Sequence, residues 1–225
     1  MNSADKVEVN LDFILKAIRS LPDYKPASGE APFQLICFPE NSLFMRIKEG
    51  SAVESFDLTE SFWPEFISLA RQKNLVIHLG SIAVKTADGH NTNSSVIVHP
   101  AEGVTAGYAK IHLFDIELEG QKPIRESDAF KHGEKEQFLH IGDWVLGQSI
   151  CYDIRFSELY QKYAEAQVDA RWVDGKRPAQ SPSIPYGDRP PWASLFAAAR
   201  RWAGGPPHSW WRSVRPLTPR SRQQR

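Results

Sequence analysis

The amino-acid sequence predicts an α/β layered domain over about residues 1–170, followed by an irregular basic tail over residues 171–225. Three observations point there. Apolar runs of strand length alternate with apolar stripes at helical spacing. Those strands read as solid apolar runs, the pattern of strands covered on both faces. Composition then changes abruptly: residues 171–225 hold 11 Lys/Arg against two acids, with 9 of the 16 prolines and 5 of the 7 tryptophans.

Each element has its own signal. Asn10 offers a helix cap, and Leu11, Ile14, Leu15 and Ile18 recur at helical spacing up to Pro22. Pro26, Ser28 and Gly29 mark a loop before the apolar run Gln34–Phe38, which Pro39 stops. Thr59 offers a second cap, ahead of the stripe Phe62, Phe66, Leu69 and Ala70. Leu75–Ala83 reads as a buried strand, Asp88-Gly-His-Asn as a turn, and Ser94–His99 as a further strand. Phe138–Ile141 and Trp144–Ile150 form two more, separated by Gly142-Asp143. A helix follows over about Phe156–Ala166.

Composition excludes several classes. The 225 residues have zero formal net charge, which argues against a polyanionic partner for the chain as a whole. No apolar run reaches the roughly 18–20 residues of a membrane span. The opening Met1-Asn-Ser-Ala-Asp-Lys has no apolar signal segment, and two cysteines cannot make a disulfide scaffold, so a cytoplasmic setting is expected. The seven histidines show no metal spacing such as HExxH, and no CxxC pair occurs, so no metal is expected.

Three places carry candidate chemistry. Glu40 follows a buried strand in Phe38-Pro-Glu-Asn-Ser; by itself it reads as a turn acid. Lys110 sits in Tyr108-Ala-Lys-Ile-His-Leu-Phe, where a snorkelling surface lysine is the plain alternative. Cys151 lies between an apolar strand and a helix in Gly147-Gln-Ser-Ile-Cys-Tyr-Asp-Ile-Arg-Phe, where a structural thiol is the alternative. Together they supply a nucleophile, a base and a cation, with a helix start near Arg155 to favour the thiolate.

These three blocks, in this order, resemble the signature blocks of the nitrilase superfamily, and their flavour is similar to its Nit branch of ω-amidase-like enzymes. The resemblance implies a four-layer α-β-β-α sandwich, incomplete here, and hydrolysis of a small linear amide through an acyl-thioester. It assigns acylation to Cys151, general base chemistry to Glu40 and oxyanion stabilisation to Lys110, with the backbone N–H of Tyr152 beside it. Glu126, in Ile124-Arg-Glu-Ser, resembles the second glutamate that positions substrate and lysine. Arg155 lies where some relatives hold a substrate carboxylate, with a salt bridge to Glu158 as its alternative. No cofactor is implied. The partners implied are a small amide carrying a carboxylate and a second copy of the chain, paired through the helix over Phe156–Ala166.

The chain also departs from that pattern. An opening core strand is expected before Met1, and Ser157 replaces a proline usual in the third block. After Ala170 the expected strand and Trp-containing helix give way to Arg171-Trp-Val-Asp-Gly-Lys-Arg-Pro and the basic tail, with one helical stretch over Trp192–Trp202. Three readings of the tail stay open: an out-of-register translation, a basic arm binding nucleic acid, or a divergent C-terminal subdomain. The departures predict apolar faces of Leu75–Ala83 and Phe138–Ile150 left open to water, with low stability and little turnover. The alternative function is therefore a catalytically impaired remnant.

Overall fold

The computed structural model describes residues 3–27, 33–46, 52–117, 119–120 and 122–174, the last four as backbone. The chain divides into two units, Met1–Pro178 and Ala179–Arg225. The second, with the expected Trp192–Trp202 helix, lies outside the described residues.

The first unit runs α1 (Val7–Ser20), β1 (Gln34–Phe38), α2 (Trp63–Lys73), β2 (Leu75–Lys85), β3 (Asn91–His99) and β4 (Gly103–Ala109). It continues with β5 (Asp115–Ile116), β6 (Ile124–Arg125), β7 (Phe138–Ile141), β8 (Trp144–Ile150), α3 (Ser157–Glu165) and β9 (Ala170–Asp174). One sheet has the order β1-β2-β3-β4, a second β7-β8-β9, and β5-β6 form a small ribbon. β1 lies parallel to β2, while β3 and β4 follow antiparallel. β7 and β8 form a hairpin, and β9 returns parallel to β8. Regular structure thus continues to Asp174, past the boundary expected at 170; as an edge strand, β9 needs less apolar sequence than a central one.

Packing sets four layers. Ile14, Leu15 and Ile18 of α1 and Trp63, Phe66, Leu69 and Ala70 of α2 cover one face of the first sheet, meeting Leu75, Ile77, Leu79, Val96 and Val98. On the other face, Val76 and Ile97 meet Leu139 and Ile141 of the second sheet. Tyr163 and Tyr160 of α3 cover the other side of that sheet at Gly147 and Ser149, with Leu159 clustered against Ile150. β2 is buried from Leu75 to Val84, so the expected open face does not exist there: alternate side chains find cover on either side. On β7-β8 the exposure is confined to Phe138 and Trp144 among the large side chains.

Both expected caps are corrected. α1 begins at Val7, and Asn10 lies inside it. The Asn10 side chain accepts from Ala4 N (2.8 Å) and donates to Ala4 O and Leu43 O (2.9 Å each), tying the chain entry to the loop after Glu40. α2 begins at Trp63, with Phe62 at the cap position and a proline in its first turn. Thr59 instead closes a turn on Asp57.

A polar clasp joins the two sheets. His78 Nε2 on β2 lies 3.1 Å from Gln148 Oε1 on β8, and Ser95 Oγ on β3 donates to the same oxygen at 2.9 Å. Gly107 leaves the room this clasp needs, since a Cβ there would stand 2.6 Å from Ser95 Oγ. Burial disfavours the imidazolium and lowers the His78 pKa to about 4, against the hydrogen bond to Gln148. The unfolded chain therefore binds a proton below about pH 6.5 that the fold refuses until about pH 4. Stability is expected to fall by about 3 kcal/mol as pH drops through that window. Urea unfolding across pH 4–7.5 checks this, with a flatter dependence expected for His78→Gln.

Candidate active site

Irregularities in the first sheet build the site. The β2–β3 register shifts between Leu79 and Ile82. At that bulge Ser81 accepts from Ser42 N through its carbonyl (2.9 Å) and from Asn41 N through its hydroxyl (3.1 Å). These bonds hold the loop after β1, where Pro39 ends the strand and Asn41 turns with φ of 54°. Glu40 is thereby buried, with 7% exposure.

Lys110 follows β4, and its backbone is locked twice: its N–H donates to Asn93 O (2.9 Å), and Gly133 N donates to its carbonyl (2.7 Å). Gly133 packs so closely that a Cβ there would overlap the Ala109 carbonyl. The Lys110 ammonium, 2% exposed, lies 2.8 Å from Glu126 Oε2 and 3.4 Å from Glu40 Oε1. Glu126 Oε2 also accepts from Phe114 N at 2.7 Å. Burial opposes the Lys110 charge, but the Glu40 and Glu126 carboxylates outweigh it and hold the pKa above the ordinary lysine value.

Cys151 ends β8 with φ of 47°, a left-handed conformation disfavoured for a side-chain-bearing residue. Asp153, fully buried, pins this turn. Its carboxylate accepts from Ile150 N (2.9 Å), Tyr108 OH (2.8 Å) and His112 N (2.9 Å), and His112 Nδ1 lies 2.7 Å away. Tyr108 OH in turn accepts from Ile111 N at 3.1 Å. One carboxylate thus ties the Cys151 turn to both flanks of Lys110.

The structure gathers Glu40, Lys110 and Glu126 in one cluster, and Cys151 lies within electrostatic reach of all three. Burial comes first and raises the Cys151 pKa; the Glu40 charge raises it further and Lys110 opposes, leaving it at about 12. The expectation of a favoured thiolate is corrected. Desolvation and the carboxylate outweigh the cation, and Cys151 opens a 3₁₀ turn (Cys151–Arg155) rather than the α-helix. Tyr152 stands in an aromatic wall, edge-on to Phe114 and Phe156 at 5.0 and 5.5 Å. Arg155 is exposed and forms no ion pair with Glu158 among the described residues, so that alternative is not realised. Asn93 and Asp153 were not among the residues anticipated. Among the described residues no His/Cys/Asp/Glu group could hold a metal ion, and no helix is long and apolar enough to cross a membrane.

Comparison with known proteins completes the picture. The carbon-nitrogen hydrolase family matches residues 1–207. The chain is 32% identical over 138 residues to the nitrilase and fragile histidine triad fusion protein NitFhit of Caenorhabditis elegans, covering 59% of this chain and 31% of that protein. It is 36% identical over 117 residues to deaminated glutathione amidase of Bos taurus, covering 50% of this chain and 36% of the relative. The chain therefore spans about a third of the length of these curated relatives. In fold it is similar to a CN-hydrolase superfamily protein of Xanthomonas campestris, with TM-score 0.60, 17% identity, and 79% of this chain and 62% of that one covered. Saccharomyces cerevisiae Nit3, of the nitrilase superfamily, gives TM-score 0.57 at 21% identity, with the same coverage of 79% and 62%.

Proposed function

Because the chain belongs to the carbon-nitrogen hydrolase family, we propose that it cleaves the carbon–nitrogen bond of a small linear amide, with Cys151 as nucleophile, Glu40 as general base and Lys110 as oxyanion partner. The observation that carries this is a half-buried thiol within electrostatic reach of a buried carboxylate and a buried ammonium, contributed from three separate loops.

The thiol's pKa decides the mechanism. At about 12, roughly one thiol in 10⁵ is ionised at pH 7. A standing thiolate is too scarce to serve, so the proton passes to Glu40 as sulfur attacks the carbonyl carbon. The resulting oxyanion faces the Lys110 ammonium, which Glu126 steadies, and the N–H of Tyr152. Collapse breaks the carbon–nitrogen bond, and Glu40 returns the proton to the departing amine. A water that gives its proton to Glu40 then attacks the thioester; the acid leaves and the thiol is restored.

The name of one relative, a deaminated glutathione amidase, supports an amide as substrate. Exposed Arg155 supports a substrate carboxylate. Pairing of two copies through α3 belongs to the same reading; that helix turns Leu159 and Tyr163 inward and presents Glu158, Gln161, Lys162 and Glu165 outward. A free thiol nucleophile suits a reducing cytoplasm.

Ammonia release from linear amides with and without a carboxylate tests the proposal, with Cys151→Ala as blank. Release is expected, faster for carboxylated amides, with KM raised in Arg155→Ala. No release from any amide would favour the rival reading, a catalytically impaired remnant.

A further inference from the structure

Asn93 occupies an unusual place. It lies on β3 among buried side chains, 2% exposed, and its Nδ2 donates to Glu40 Oε1 at 3.2 Å and to Glu126 Oε1 at 2.8 Å. The orientation of this amide follows from chemistry, since two carboxylates can be faced only by its donor end. Its carbonyl oxygen Oδ1 is consequently buried without a hydrogen-bond partner among the described residues. A strand interior does not keep an unsatisfied acceptor for stability alone. The backbone carbonyl of Asn93 also holds Lys110 N, so one residue touches three members of the site.

The two carboxylates are held unequally. Glu126 has Lys110 at 2.8 Å, Phe114 N at 2.7 Å and Asn93 at 2.8 Å. Glu40 has longer contacts with Lys110 and Asn93, at 3.4 and 3.2 Å, both on Oε1. We propose that Asn93 is a positioning residue that holds Glu40 beside Glu126, ready to receive the Cys151 proton through its second oxygen. The titratable groups facing Glu40 are Lys110 beyond β4, Cys151 beyond β8 and, across Asn93, Glu126. Removing the Asn93 donor takes away the hydrogen bond that fixes the Glu40 carboxylate beside Glu126, so its second oxygen is no longer held toward Cys151.

This inference rests on the proposed Cys151–Glu40 chemistry, and the test separates the two. Iodoacetamide alkylation of Cys151 and Cys37 is followed by peptide mass spectrometry from pH 5 to 9 in the full chain, for the wild type, Asn93→Ala and the similarly sized Asn93→Leu. Both variants are expected to slow Cys151 alkylation by about tenfold across this pH range while unfolding cooperatively. Cys37 should not respond. Wild-type labelling without preference for Cys151 would defeat the proposed chemistry itself. A selective wild type with variants that keep its Cys151 alkylation rate would overturn the role of Asn93 alone. Loss of cooperative unfolding in both variants would assign Asn93 to the core and overturn it too.

Discussion

Replacing Asp153 with alanine is expected to lower stability by about 3–5 kcal/mol, a loss large enough to unfold a marginal domain. The carboxylate is fully buried and gathers donors from Ile150, His112 and Tyr108. Its removal strands these groups away from water, each at about 1–3 kcal/mol. It also frees the Cys151 turn, whose positive φ is sustained by that anchoring. Urea denaturation measures the effect, and Asp153→Asn, which keeps the shape but only one acceptor oxygen, should fall between the two. Tyr108→Phe removes both the donor to Asp153 and the acceptor of Ile111 N, and should lose about 1–3 kcal/mol. A wild-type midpoint for Asp153→Ala would contradict the role given to this carboxylate.

Glu40→Gln is expected to slow amide turnover by about 10²–10⁴-fold while leaving the fold intact. Glutamine matches the glutamate in shape, and its carbonyl can still accept from Asn93 and Lys110. What it cannot do is take a proton. The deficit should persist from pH 6 to 9, because burial, the largest cause that raises the thiol, remains in the variant. Recovery of rate by pH 8 would indicate a thiol far more acidic than burial dictates.

Much of the framework was legible because burial leaves a strong trace in sequence. The uninterrupted apolar run of β2 reports cover on both faces, and α1 and α2 follow from stripes at helical spacing. β4 escaped notice: Gly103-Val-Thr-Ala-Gly-Tyr-Ala is small, polar and partly exposed, as suits a sheet edge. Asn10 and Thr59 resemble caps because both types bond local backbone, and only tertiary contacts show that Asn10 reaches Leu43.

The same limit applies to the site. Glu40, Lys110 and Cys151 are visible because each sits in a distinctive block, and Glu126 through its resemblance. Asn93 reads as an ordinary polar strand residue until Glu40 and Glu126, 53 and 33 positions away, meet at its amide. Asp153 reads as a helix-start acid until Tyr108 and His112 arrive from the Lys110 loop. The acidity of the thiol was misjudged for a related reason. Charges can be counted along a chain, whereas the desolvation that outweighs Lys110 exists only in the packed molecule.

The rate of iodoacetamide capture at Cys151 relative to Cys37, in the wild type and in Glu40→Gln, tests the central claim most directly. The account predicts that at neutral pH Cys151 reacts well ahead of Cys37, though both are half-buried, and that this lead disappears in Glu40→Gln. Equal capture at both thiols, or a lead that survives the substitution, would contradict it.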